Sequence, residues 1–220
     1  MTFSQPLYKR IARFFGVPFF RGLFYILTRP TIVGKENVPS RSAYMIVANH
    51  LGTVDPPMVI VFWPHNPEGL GASSQMETFG LGFLMRLYGA VPVHRGEYDR
   101  AVLDKAMAIF DSNRPVLIMP EGSRSRTPGM RQAKPGAAYL AVKANVLIVP
   151  VGITGTELIP ADWKKWRRPR LKMIIGKPFN LPPLTSQDRD TRRKHLDECT
   201  HLIMHRIADL LPEEYRGVYA

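Results

Sequence analysis

What most constrains this chain is an alternation along its length. Short apolar runs, bounded by turn residues, take turns with stretches of helical spacing. Residues 43–48 (AYMIVA), 115–119 (PVLIM) and 146–153 (VLIVPVGI) are too short and too apolar for surface helices, and they predict buried strands. Residues 91–94 and 171–175 predict two more. Between them, 97–111 places Val102, Leu103, Ala106, Ile109 and Phe110 on one helical face. Residues 56–63 predict a helix opened by proline, and 79–88 and 135–144 predict two others. A long charged helix is expected over 188–211, ended by Pro212. Alternating strands and helices predict an α/β sheet with helices on its faces, and functional residues in the loops at strand ends. Pro150, inside a strand, predicts an edge or a bulge there.

The 220 residues are enough for one domain with a real core, and 45% apolar residues exclude a disordered chain. Lys and Arg number 30 against 18 Asp and Glu, a net charge of +12. That excess implies an anionic partner, whether nucleic acid, an anionic lipid surface or a phosphorylated small molecule. A single cysteine, Cys199, excludes an internal disulfide framework and a Cys-rich zinc site, and it reads as structural.

No apolar run reaches the roughly 18 residues of a membrane span. In residues 1–30 every ionisable side chain is basic: Lys9, Arg10, Arg13, Arg21 and Arg29, set among Phe14, Phe15, Phe19, Phe20, Phe24 and Tyr25. Arg inside the apolar stretch argues against a signal peptide. One or two amphipathic helices lying in a bilayer interface are expected, bent or broken at Pro18 or Gly22, with the Arg side chains at headgroup level. The competing expectation is a helix packed on the protein's own core. A second basic stripe runs from Trp163 to Lys177, with seven cations and no acid. It suits an anionic membrane interface, single-stranded nucleic acid or plain solvent.

Two constellations carry chemistry. The strand over 43–48 runs into Asn49, His50 and, five residues after His50, Asp55. A histidine titrates near neutral pH, and a carboxylate folded back under it would orient the ring and stabilise its protonated form. Asp55 before Pro56 is equally suited to cap a helix, and His50 to sit satisfied in a core. No serine or cysteine completes a nucleophilic triad, which favours a base acting on a substrate hydroxyl. The strand over 115–119 ends in Pro120, Glu121, Gly122, Ser123, Arg124, Ser125 and Arg126, with Lys134 before the next helix. Those donors suit a phosphate group, with a solvated basic loop as the alternative. Gly89 to Arg95 ends another strand in a cation.

Taken together, these blocks resemble the lysophospholipid and glycerolipid acyltransferase family, most closely its bacterial 1-acyl-sn-glycerol-3-phosphate branch. Asn49, His50 and Asp55 resemble its first block, Gly89 through Arg95 its second, Pro120 through Arg124 its third, and Val149, Pro150 and Val151 its fourth. The agreement covers about half the chain. It implies a mixed, largely parallel sheet flanked by helices over 31–220, with 1–30 as an amphipathic membrane-interface segment. It implies acyl transfer from acyl-CoA or acyl-carrier protein to the free hydroxyl of lysophosphatidic acid, giving phosphatidic acid. His50 is then the general base and Asp55 its orienting acid. Arg95, Glu121, Gly122, Ser123 and Arg124 hold the acceptor phosphate, and the anion-friendly Lys134 is read with them. No metal or organic cofactor is implied, and attachment is monotopic, at the cytoplasmic face of the cell membrane. The family's lysine between the first two blocks has no counterpart in residues 72–77, and Pro92 and His94 also depart from its pattern. Other lysophospholipids or hydroxylated lipids are alternative acceptors, and a basic nucleic-acid-binding protein is the alternative of a different class. His201 and His205 have a spacing able to bind metal but lack a defined third ligand.

Overall fold

The computed structural model describes residues 3–40, 42–93, 100–125, 128–184, 186 and 188–220. In chain order the elements are α1 (Leu7–Leu27), β1 (Arg29–Val33), β2 (Tyr44–Ala48), α2 (Asp55–Phe62), β3 (Glu68–Ala72) and α3 (Ser73–Met76). There follow α4 (Leu81–Tyr88), β4 (Val91–Val93), α5 (Arg100–Asp111), β5 (Val116–Ile118) and α6 (Gly136–Ala144). The chain continues with β6 (Leu147–Thr154), α7 (Ile159–Lys164), β7 (Arg170–Ile175), α8 (Arg189–Ala208) and α9 (Glu213–Arg216).

The strands form one sheet in the order β1-β7-β6-β2-β5-β3-β4. Every pairing is parallel except β6 with β7, so the expected mixed, largely parallel sheet is what forms. β2 lies at its centre and is buried on both faces. Its side chains alternate, as strand geometry requires. Met45 and Val47 enter a core shared with Ile109, Ala138, Ile203 and Met204 of α5, α6 and α8. Tyr44, Ile46 and Ala48 enter the opposite core, with Met58 and Phe62 of α2 and Phe24 of α1. The layers are thus helices, sheet, helices.

Pro150 lies in an interior strand and not at an edge, and the irregular backbone expected of it is found on the side that faces β7. The carbonyl of Pro150 faces β7, accepting from Gly176 N–H at 2.8 Å. Its missing N–H therefore also faces β7, where the ladder lapses between an isolated bridge at Ile148 and the regular pairing that begins at Val151. The proline costs no ladder bond because none is continuous there. The sequence reading passed over β1 and β3; β3 is EGLGA, whose glycines carry no strand signal.

The N-terminal segment corrects another expectation. It is a single 21-residue helix that runs through Pro18 and Gly22. Anchors on both sides of the proline hold it straight enough to continue: Arg13 before it, and Arg21, whose Nε donates to Val61 O at 2.5 Å, and Phe24 after it. Arg13 does not face headgroups. It is 4% exposed, and its guanidinium grips Glu68 of β3 at 2.6 and 2.8 Å while donating to Tyr88 O at 2.7 Å. Arg114 and the Gln5 amide donate to the same carboxylate, at 2.6–2.9 Å. Gln5 also donates to Gly89 O. Gly89 has φ +87° and a side chain on it would collide with the Gln5 amide, so a glycine both ends α4 and admits the contact.

Burial by itself would raise the Glu68 carboxyl, but hydrogen bonds and charge from Arg13, with Arg114 and Gln5, outweigh it and hold the group below the ordinary glutamate range. Its contribution to stability is therefore present at neutral pH and lost as pH falls through the lowered value. Replacing Glu68 by Gln strands a buried guanidinium, which should cost about 3–5 kcal/mol in urea unfolding at pH 7. The gap between wild type and variant should narrow as the pH is taken down through that lowered value.

Candidate active site

Three adjacent parallel strands, β6, β2 and β5, point their carboxyl ends the same way, and each runs into a loop that brings polar groups to one place. β2 is followed by Asn49 and His50. The Asn49 amide donates to Ile153 O at 2.9 Å and accepts from Ile153 N–H at 2.7 Å, tying the end of β2 to that of β6. With its neighbour pinned, His50 leaves the sheet in a defined direction.

Asp55 is fully buried and lies 2.9 Å from His50 Nδ1 through Oδ2. The same oxygen accepts from Leu51 N–H at 2.6 Å and Gly52 N–H at 2.7 Å. Oδ1 accepts the Thr156 hydroxyl, delivered from the loop after β6. A carboxylate surrounded by donors is an acceptor, so Nδ1 carries the proton and the Nε2 lone pair is left free. Among the described residues no group bonds Nε2, and the His50 side chain is part-exposed at 13%. This chooses between the readings of Asp55. The residue that caps α2 is Val54, without a side-chain bond, and Asp55 turns back to the imidazole and its turn. His50 is likewise no satisfied core histidine.

The loop after β5 completes the site. Gly122, at φ +68°, makes the tight turn that lets its N–H reach Met119 O at 3.0 Å. Glu121 turns its carboxylate to backbone donors. It is buried, and its two oxygens accept His50 N–H and Arg131 N–H, each at 2.8 Å. Burial pushes its carboxyl up, and those two backbone bonds oppose the shift only in part. Ser125 N–H donates to His50 O at 2.7 Å, so the loop grips the histidine backbone twice. Arg124 is exposed and donates to Thr53 Oγ1, while Arg131 donates to Ser123 Oγ at 2.8 Å. The Lys134 side chain passes close to Gly122.

His50, Gly122, Ser123, Arg124, Arg131 and Lys134 all line one cavity of about 1380 Å³. Its walls are otherwise mainly apolar, from α1, α2, β3 and α4. Among the predicted residues the structure thus joins His50, Asp55, Gly122, Ser123, Arg124 and Lys134. Glu121 is there as a brace. Arg95 and Arg126, like His94, lie outside the described residues. Arg131 and Thr156 were not read from the sequence. Arg131 could have been found as a further cation of the same loop, whereas Thr156 had no local signal. Where the family's lysine has no counterpart, Gln75 of α3 lines the cavity.

Among the described residues no group of three or more His, Cys, Asp or Glu is placed to hold a metal, and the rings of His201 and His205 stack 6.4 Å apart. Cys199 lies 3.5 Å from His195 Nε2, a base one turn earlier that the sequence reading passed over. Burial raises the thiol, which suits a packing role. Removing the Thr156 hydroxyl should test how far Asp55 relies on donors from outside its own turn. Thr156→Val should lower stability by about 1.5–3 kcal/mol in denaturant titration, as for a hydrogen bond to a charged group.

Residues 29–154 match the protein-family model described as Acyltransferase. The chain is 29% identical over 193 residues to a 1-acyl-sn-glycerol-3-phosphate acyltransferase of Chlamydomonas reinhardtii, covering 85% of this chain and 54% of that protein. It is 28% identical to one of Cocos nucifera, covering 89% and 62%, and 26% identical to one of Haemophilus influenzae, covering 94% and 84%. It therefore spans little more than half the length of the first of these. The crystal structure of the 1-acyl-sn-glycerophosphate acyltransferase PlsC of Thermotoga maritima shares the fold, with TM-score 0.66, 22% identity, and 92% of this chain and 80% of that one covered. With the family model spanning β1 to the end of β6, across the strand ends that build the site, the chain belongs to the acyltransferase family.

Proposed function

We propose that this protein transfers a fatty acyl group from a thioester to the free hydroxyl of 1-acyl-sn-glycerol 3-phosphate, giving phosphatidic acid. The observation that carries the reading is the 2.9 Å contact between His50 Nδ1 and a buried Asp55, which leaves Nε2 unengaged in a cavity that also holds Arg124 and Lys134. The names of the relatives supply the acceptor.

In this reaction His50 Nε2 takes the proton of the acceptor hydroxyl as its oxygen attacks the thioester carbon. Asp55 holds the ring and stabilises the imidazolium. The tetrahedral intermediate collapses, the C–S bond breaks, and the thiolate takes the proton back from Nε2. The acceptor phosphate lies against Arg124, Lys134 and Arg131, with the Ser123 hydroxyl. Gly69 and Gly71 of β3 line the cavity; the absent side chain of Gly69 leaves open room along an apolar wall for an acyl chain, and Met85 fills the place beside Gly71. The reaction as written uses acyl-CoA or acyl-carrier protein as co-substrate and no metal or organic cofactor.

The exposed side of α1 supports delivery of lipid from a bilayer. Phe14, Phe15 and Phe19 are each about two-thirds exposed or more, while Val17, Phe20 and Phe24 pack inward. Trp166 is 98% exposed, and its neighbours tie the basic stripe to the same helix end: Trp163 Nε1 donates to Leu27 O at 3.2 Å, and Arg168 to Thr28 O at 2.9 Å. Aromatics beside cations suit an anionic interface, as at a cytoplasmic leaflet. Among the described residues no helix is long and apolar enough to cross a membrane.

Replacing His50 by Ala should lower thiol release by about 10²–10⁴-fold with the unfolding midpoint little changed. Turnover at the wild-type rate in that variant would overturn the reading. The double variant Phe14→Asp, Phe15→Asp should fail to co-sediment with vesicles rich in anionic lipid while keeping turnover on detergent-dispersed acceptor.

A further inference from the structure

Beyond the reaction cavity, three guanidiniums line a second concavity. Arg189, Arg192 and Arg193, on the first turns of α8, surround a space of about 420 Å³ together with Pro135, Leu196 and Asp197. None of the three makes an ion pair or side-chain hydrogen bond among the described residues, and Asp197 is paired with none of them. Arg192 is half-buried, whereas Arg189 and Arg193 are exposed. Three unpaired cations around one hollow repel each other, and an anion with several charged oxygens relieves that repulsion. The helix terminus is not what would bind it. Asp188 already accepts from Thr191 N–H and Oγ1, at 2.8 Å each, so the site is made of side chains.

Two placements identify the anion. Pro135 and Leu196 line both this concavity and the reaction cavity, so the two spaces adjoin. And α8 packs on the face of the sheet opposite α1, through Cys199, Ile203 and Met204, so the arginines lie away from the aromatic helix that would meet lipid. A ligand reaching them comes from water. The acceptor phosphate is already provided for by Arg124, Arg131 and Lys134. What lacks a place is the charged, water-soluble end of the thioester donor.

We infer that Arg189, Arg192 and Arg193 bind the phosphorylated adenosine end of a coenzyme A thioester, and that its pantetheine arm passes Pro135 and Leu196 to present the thioester to His50. This rests on the proposed acyl transfer. The compact hollow, with planar forks suited to phosphate, fits a nucleotide bearing several phosphates better than the broad face of a carrier protein.

The test uses the full chain and the triple variant Arg189→Ala, Arg192→Ala, Arg193→Ala, with Lys105→Ala on α5 as a charge control. Calorimetric titration with coenzyme A and with adenosine 3′,5′-bisphosphate should show binding to wild type and control, weakened about tenfold or more in the triple variant. In steady-state assays the triple variant should raise KM for acyl-CoA by a similar factor, with kcat and the KM for lysophosphatidic acid held. The defect should vanish with an acyl-pantetheine donor that lacks the nucleotide. Equal coenzyme A binding by wild type and triple variant overturns the site, as does an equal defect with acyl-pantetheine. A defect confined to an acyl-carrier-protein donor overturns the nucleotide in favour of protein docking. Absence of phosphatidic acid from every donor would instead count against the acyl-transfer reading, and coenzyme A binding then still decides the site.

Discussion

Taking a carboxylate out of water costs several kcal/mol unless other donors replace the lost hydration. Asp55, Glu68 and Glu121 are all buried, and each meets that requirement by collecting donors from separate parts of the chain. Asp55 gathers its own turn, the imidazole and the loop after β6. Glu121 gathers the backbone of His50 and of Arg131. Glu68 gathers α1 and the residues before β5. The first two set the histidine, and the third fastens the N-terminal helix to β3, which walls the cavity. Losing either kind of donor leaves a charge in a dry place, so these contacts hold geometry as well as stability.

The net charge of +12 divides in consequence. Arg13 and Arg114 serve Glu68 and face no external anion. Arg124, Arg131 and Lys134 stand in the cavity. The stripe from Trp163 onward binds the end of α1 through Arg168 and leaves Trp166 and other cations outward. Charge alone allowed nucleic acid as readily as lipid. Its partition among a buried brace, the cavity that His50 lines and an aromatic surface follows from where the sheet puts each residue.

Strand runs of β-branched and apolar residues were legible because burial on both faces needs them, and β2, β5, β6 and β7 lie within a few residues of their expected places. β3 was not, because Gly69, beside open space, and Gly71, packed by Met85, carry no strand preference. The course of α1 through Pro18 was not legible either. Local propensity argues for a break there, and long-range anchors to Glu68 and Val61 override it. At Pro150 the irregular backbone was legible and only its place in an interior strand was not: the ladder to β7 lapses where the N–H is missing.

By itself the sequence determined the α/β alternation and the cationic loop after β5, and it set His50 and Asp55 within one turn of each other without choosing between a pair and a helix cap; the structure chose the pair. Those depend on residues close together in the chain, where periodicity and turn chemistry act. Only the tertiary structure decided that Thr156 holds Asp55 and that Glu121 accepts the backbone N–H of His50. It alone put Arg13 inside and the arginines of α8 beside the cavity that His50 lines. Each of these joins residues at least 55 positions apart or sets whole elements side by side. Such contacts are chosen by how buried groups find donors and how layers pack, which no local pattern encodes.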